Sequence, residues 1–369
     1  MCERGGVIQK KEIIYCIFVV KFEIMKYKFL PNTAIKVSEV CLGTMTWGQQ
    51  NSEQDGHNQL NKALDLGVNF VDTAEMYAVP AREETSGLTE KIIGSWLKKT
   101  GRRQEIVLAT KIAGPNRGLG YIRSDLGFNA ASIRLSVEKS LGRLETDFID
   151  LYQLHWPERN VNIFGQLGFR FQPEAWEDNM RAVLEDLQLL VAEGKIGHIG
   201  VSNETPWGLM RFLEESRLHN LPKMITIQNP YSLLNRSFEV GLSEVSFREN
   251  VGLLAYSPLG FGVLSGKFLT GELHPTARLS LYPQFARYSS PECLAATVLY
   301  DQIAKANGLS LTQLSMAFIA QQPFVSSTII GATTLGQLCE NIAAFDTVLS
   351  AEVLSEIEKV HRIYSNPAP

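Results

Sequence analysis

The sequence predicts an α/β protein folded as a (β/α)8 TIM barrel, with an N-terminal β-hairpin capping the barrel bottom. Three observations carry this. From Val40 onward, eight short strand-like runs alternate with helix-like runs. The strand-like runs are almost continuously apolar, as in parallel sheets covered on both faces. No polar edge strand interrupts the series, which favours a closed barrel over an open doubly wound sheet.

The elements follow in order. Residues 25–38, M-K-Y-K-F-L-P-N-T-A-I-K-V-S, read as a two-stranded hairpin turning at Pro31-Asn32. The first barrel strand is 40–43 (V-C-L-G). A helix over 55–66 follows, with Leu60, Ala63 and Leu64 at helical spacing and Gly67 closing it. The second strand, 69–73, runs into a helix over 89–98 with Ile92, Ile93, Trp96 and Leu97 on one stripe. Residues 106–112 (I-V-L-A-T-K-I) are the third strand, 131–144 an amphipathic helix, and 148–155 (F-I-D-L-Y-Q-L-H) the fourth strand. A helix over 175–192 ends at Gly194. The fifth strand is 196–202 with a helix over 206–216, and the sixth is 225–229 with a helix over 238–249. The seventh strand, 252–257, opens a long loop reaching about Ser290. Helices over 291–306 and 311–321 precede the eighth strand, 327–332, and the last helix spans 335–344.

No linker separates these units, so residues 25–369 read as a single domain. Residues 1–24 read as an N-terminal extension outside the core, with Met25 as the expected start. Its apolar run, 13–20, is flanked by Lys10, Lys11 and Lys21. That run is too short for a membrane span, which needs about 20 apolar residues, and no small-residue cleavage site follows it.

Composition narrows the function classes. Of 369 residues, 45% are hydrophobic and 20% charged, the balance of a globular chain. A net charge of −4 gives no electrostatic footprint for nucleic acid or an anionic membrane. Cys2, Cys16, Cys41, Cys293 and Cys339 are dispersed without C-x-x-C spacing, which fits a reducing cytoplasm better than a disulfide framework. The histidines lack metal-ligand spacing, so no metal is expected. There is no G-x-S-x-G elbow and no G-x-G-x-x-G.

In a barrel of this kind the site lies at the C-terminal ends of the strands. Those ends are polar here. The second stops at Asp72, with Tyr77 five residues on; the third carries Lys111 and the fourth His155. The later ends carry Ser202-Asn203, Gln228-Asn229 and Tyr256-Ser257, and Gly331 to Thr334 follow the eighth. Taken singly, Asp72 could cap a turn, Lys111 could be a rim lysine and His155 a loop histidine. Together they point into one cavity. An ammonium beside a phenol favours the phenolate, so Lys111 is expected to lower the pKa of Tyr77. Asp72 would hold Lys111 charged, and His155 could orient a substrate oxygen. That set suits a carbonyl becoming an alcohol. His198 reads as structural, and Asp150 inside the fourth strand has no evident role. Trp47, Tyr77, His155 and Trp156 suggest an aromatic-walled substrate pocket.

Several stretches resemble the aldo-keto reductase superfamily: L-G-T-M-T-W-G (42–48), D-T-A-E-M-Y (72–77), A-T-K (109–111), Q-L-H-W-P (153–157), G-V-S-N (200–203), I-Q-N-P-Y-S-L-L-N-R (227–236), L-A-Y-S-P-L-G-x-G-x-L-S-G-K (254–267) and I-I-G-A-T-T-L-G-Q-L-x-E-N (329–341). They occur in family order over about 26–361. The pattern is similar to the Tas-type branch, related to the potassium-channel β-subunits. The resemblance implies NADPH-dependent reduction of an aldehyde or ketone, reversible and hence also acting on CH-OH donors with NADP+ as acceptor. It makes Asp72, Tyr77, Lys111 and His155 the catalytic tetrad, with Tyr77 as proton donor. It assigns Gly43, Thr44 and Met45 to the cofactor site. Ser202, Asn203 and Gln228 match the nicotinamide carboxamide contacts, and Tyr256 the ring that stacks on nicotinamide. Ser257, Pro258, Leu259 and Lys267 match the pyrophosphate segment, and Gly331, Thr333, Gln337, Glu340 and Asn341 the adenosine end.

One departure stands out. Many members carry a basic stretch after the eighth strand for the 2′-phosphate, whereas 331–337 here holds no basic residue. Lys267 and Arg278 are the expected substitutes. An alternative reading is an NADPH-binding regulatory subunit with slow or vestigial turnover. The substrate, a small-molecule carbonyl, and the oligomeric state are not readable from these residues.

Overall fold

A computed structural model describes residues 25–115, 117–272 and 274–369. The expected extension over 1–24 lies outside the described residues. Two short strands, β1 (Tyr27–Phe29) and β2 (Lys36–Ser38), pair antiparallel as a hairpin. Eight parallel strands then close into a barrel: β3 (Val40–Gly43), β4 (Phe70–Asp72), β5 (Val107–Ile112), β6 (Ile149–Leu154), β7 (Ile196–Ser202), β8 (Met224–Pro230), β9 (Gly252–Tyr256) and β10 (Val325–Ile330). The ring runs in chain order, and β10 pairs with β3 to shut it. The expected (β/α)8 barrel with a separate hairpin is the fold.

The helices outside the ring are α1 (Glu53–Asp65), α2 (Leu88–Thr100), α3 (Ala130–Leu144), α4 (Met180–Ala192), α5 (Pro206–His219), α6 (Leu242–Glu249), α7 (Arg278–Leu281), α8 (Pro291–Ala306), α9 (Leu311–Ala320), α10 (Leu335–Ala343) and α11 (Ala351–Ile363). Several open on side-chain caps; at α1, Ser52 and Asp55 cap each other reciprocally. Some helix expectations change. The helix expected over 238–249 starts at Leu242, after Gly241 at φ +135°. The helix expected from residue 175 starts at Met180, because the Asp178 carboxylate accepts from the Met180 N–H and Asn179 is held by Glu158. Trp176, before that start, packs edge-on against Trp207. Helix α11 was not expected. Ser350 caps it, and Val353, Ile357 and Val360 form its buried stripe.

Alternation along the strands builds the interior. Residues two apart share a face, so Phe70 and Asp72, Ala109 and Lys111, Leu151 and Gln153 stack as a lower and an upper layer. The lower layer is apolar: Cys41, Phe70, Ala109, Leu151 and Leu254 pack together with Leu30 and Val37 of the hairpin region. The hairpin thereby closes the barrel bottom. The upper layer is polar and faces the loops. Asp150 and His198 belong to the lower half. Asp150 accepts from Arg103 at 2.7 Å and from the Leu108 N–H at 2.9 Å, tying β5 to β6.

Candidate active site

The segment after β4 continues along β5 before it turns. The Thr73 N–H donates to the Ala109 carbonyl, and the Glu75 N–H to the Lys111 carbonyl. Buried Glu75 then accepts from the Ala113 N–H, from Arg123 and from the Ser136 hydroxyl, at 2.6–2.7 Å. This anchoring folds Tyr77 back over the strand ends.

Lys111 is fully buried. Its Nζ donates to Asp72 Oδ2 at 2.6 Å and to the Thr73 carbonyl at 2.8 Å, and lies 3.4 Å from the Tyr77 hydroxyl. The His155 ring meets Tyr77 edge-on at 5.7 Å between centroids. The four side chains that the sequence separates by up to 83 positions therefore meet at one point. Gln153, which the sequence reading passed over, lies beneath them. Gln228 Nε2 reaches across the barrel to Asp72 Oδ1 at 2.8 Å and to Gln153 Oε1 at 3.1 Å. Gln228 thus also fixes the Asp72 carboxylate.

The electrostatics differ from the sequence expectation at Tyr77. Burial pushes its phenol above the ordinary tyrosine value, and the opposing pull of Lys111 does not reverse this. At Lys111 burial works against the charge, but Asp72 and Tyr77 outweigh it and hold the ammonium above the usual lysine value. Burial, helped by Lys111 and Arg117, depresses His155 well below the ordinary histidine value. Near neutral pH the site thus holds a protonated phenol, an ammonium and a neutral imidazole. Among the described residues, His155 Nδ1 is buried without a hydrogen-bond partner.

These groups open into a cavity of about 900 Å³. Its lining includes Gly43, Thr44, Met45, Asp72, Tyr77, His155 and Trp156. The stretch 202–203, Gln228, the stretch 256–259, Lys267, Arg278, Gly331, Thr333, Gln337, Glu340 and Asn341 also line it. Lys111 stands just behind Tyr77. Trp47 is the exception. It is fully buried between α1 and α2, where Gly56 leaves room for the indole, and its Nε1 donates to Gln59. It does not line the cavity. The aromatic wall instead includes Phe164, Phe261 and Phe285, residues of long loops that carry no strand-end signal.

Asn203, just after β7, has φ +53°, a left-handed conformation that asparagine tolerates. Its amide donates to the His155 carbonyl, and its Oδ1 accepts from the Tyr256 hydroxyl at 2.6 Å. The loop after β9 crosses to the β3–α1 connection: Gln50 donates to the Thr276 carbonyl, and Arg278 lies 3.8 Å from Met45 Sδ. Arg278 lies over the Phe261 ring, its Nε buried without a partner among the described residues. Burial, with Arg278 nearby, lowers Lys267. Among the described residues neither Lys267 nor Arg278 pairs with a carboxylate, and two such cations lining one cavity fit a phosphate-bearing ligand such as a dinucleotide. Among the described residues no cluster of three or more His, Cys, Asp or Glu side chains could hold a metal, and no helix is long and apolar enough to cross a membrane.

Comparison with known proteins gives the class of a barrel carrying this Asp–Tyr–Lys–His set. The chain belongs to the aldo/keto reductase family, whose profile matches residues 39–362. It is therefore an oxidoreductase of that family. Among its relatives is Protein tas of Escherichia coli (strain K12), 49% identical over 94% of this chain and 100% of the relative. The uncharacterized oxidoreductase YrpG of Bacillus subtilis (strain 168) is 31% identical over 91% of this chain and 96% of its own. Norsolorinic acid reductase B of Dothistroma septosporum is 28% identical over 91% and 82%.

Proposed function

We propose that this chain is an NADPH-dependent reductase that converts an aldehyde or ketone to the alcohol, with Tyr77 as the proton donor. The observation that carries the reading is the Lys111 ammonium 3.4 Å from the Tyr77 hydroxyl, with Asp72 2.6 Å behind it. Bound NADPH supplies the hydride. Tyr77 holds its proton at the start of the reaction, as its burial requires, and gives it to the oxygen that gains negative charge. Lys111 stabilises the phenolate left behind. Neutral His155 orients the carbonyl oxygen without competing as an acid.

For the cofactor, Ser202, Asn203 and Gln228 would hold the carboxamide and Tyr256 the ring face. The loop after β9, with Lys267 and Arg278, would lie along the phosphates. Thr333, Gln337, Glu340 and Asn341 would take the adenosine end. A loop that bridges the cavity mouth would also slow cofactor release. Free Cys41, Cys293 and Cys339 are consistent with a cytoplasmic location.

The test is a panel of aldehydes and ketones followed by NADPH absorbance. An ordinary reductase turns over at about 1 per second or faster on its preferred carbonyls. NADPH binding with no turnover on any of them would favour the regulatory alternative.

A further inference from the structure

We propose that the carbonyl substrate carries a carboxylate, recognised by Arg117 at the mouth of the cavity. This rests on the reductase reading and goes on to name the substrate class.

Arg117 lies on the loop between β5 and α3 and lines the cavity beside His155 and Trp156. Its guanidinium carbon is 4.2 Å from the Phe164 ring centroid and 5.7 Å from that of Trp156. Aromatic contact on its faces holds a guanidinium plane while leaving the N–H edge available to a carboxylate. No carboxylate pairs with Arg117 among the described residues, unlike buried Arg123 and Arg159 and half-buried Arg143, each of which has its own glutamate.

The setting favours an anion. Among the described residues, four cations line the cavity, Arg117, Lys267, Arg278 and Arg287, against two acids, Asp72 and Glu340. Asp72 is already paired with Lys111. Lys267 and Arg278 belong to the loop assigned to cofactor phosphates. Arg117 lies on a different loop and is not needed there. Arg287 packs beneath Gly165, next to Phe164, its Nη1 buried and without a partner among the described residues. It adds positive potential on the same side.

Trp156 follows His155 in the chain, and their rings are 4.8 Å apart. A carbonyl held by Tyr77 and His155 therefore has Arg117 across the Trp156 face. A substrate with its carbonyl at one end and a carboxylate at the other would span that gap, its middle against aromatic wall.

The test uses the full chain with NADPH and matched probes: 2-, 3- and 4-carboxybenzaldehyde against the corresponding carboxamides, and 4-oxobutanoate against butanal. At least one carboxylate should exceed its neutral partner in kcat/KM by about ten- to a hundredfold, the size of a charge-assisted contact. Added salt should erode the preference. Arg117→Met should collapse that ratio, mainly through KM, with the dissociation constant of NADPH unchanged, and Arg117→Lys should keep part of it. Wild-type ratios near one, or a preference that survives Arg117→Met, would overturn the proposal and leave the reductase reading standing. If wild type reduced none of the probes while binding NADPH, both readings would fall together.

Discussion

The Lys111 ammonium sits 2.6 Å from Asp72 Oδ2, and both side chains are shut away from water. Removing one partner strands the other charge in the barrel. Asp72→Asn or Lys111→Met should each cost about 3–5 kcal/mol of stability. The double substitution should cost less than the sum of the two, because it leaves no uncompensated charge. Denaturant unfolding of all four proteins measures this; strict additivity would mean that the pair is not coupled.

His155 gives the pH dependence a definite sign. Its folded value is well below the ordinary one, while the unfolded chain binds the proton near pH 6.5. Between those values the unfolded state holds more protons, so stability falls as pH drops below about 6.5, by up to about 1.4 kcal/mol per pH unit. His155→Gln should remove this contribution. The stability gap between wild type and variant should then move in the variant's favour between about pH 7.5 and pH 5.5. Parallel pH curves for the two proteins would show that His155 is not the group responsible.

Burial keeps the Tyr77 phenol above the ordinary tyrosine value. Carbonyl reduction by wild type should therefore show no alkaline loss attributable to Tyr77 below about pH 10. A kcat/KM profile falling with a group near pH 7, absent from a Tyr77 variant's residual activity, would contradict the assignment.

Arg278 and Lys267 should each matter to cofactor binding. Loss of one charge-assisted contact weakens NADPH by about ten- to a hundredfold. Arg278→Ala is expected to weaken NADPH more than NADH, and Lys267→Ala to weaken both. Titrating both cofactors against both variants decides this. Equal loss for NADPH and NADH in Arg278→Ala would move Arg278 from the 2′-phosphate to the pyrophosphate.

Most of the barrel was legible because its strands are uniformly apolar and end in polar residues. The interior pairing of Phe70 with Asp72 or Ala109 with Lys111 follows from a period of two. The residues that escaped notice lie where no period operates. Phe164 and Arg117 sit on long loops whose paths depend on distant anchors, such as Arg123 on Glu75. Gln153 looked like any residue of an apolar strand until its contact with Gln228 was visible. Trp47 misled because it stands four residues from a cavity-lining glycine, Gly43, yet turns the other way into the space left by Gly56. At Tyr77 proximity to Lys111 was foreseen, but the larger effect, burial, depends on the folded loops.

The central claim is that Tyr77 delivers the proton, and Tyr77→Phe tests it most directly. The phenyl ring keeps the packing against His155 and removes only the hydroxyl beside Lys111. Carbonyl reduction, measured with chemistry rate-limiting, should fall by about 100- to 10,000-fold while NADPH affinity stays within about twofold of wild type. A variant that retained more than about half of the wild-type rate under those conditions would contradict the account, since general-acid catalysis of this size cannot be lost without being seen.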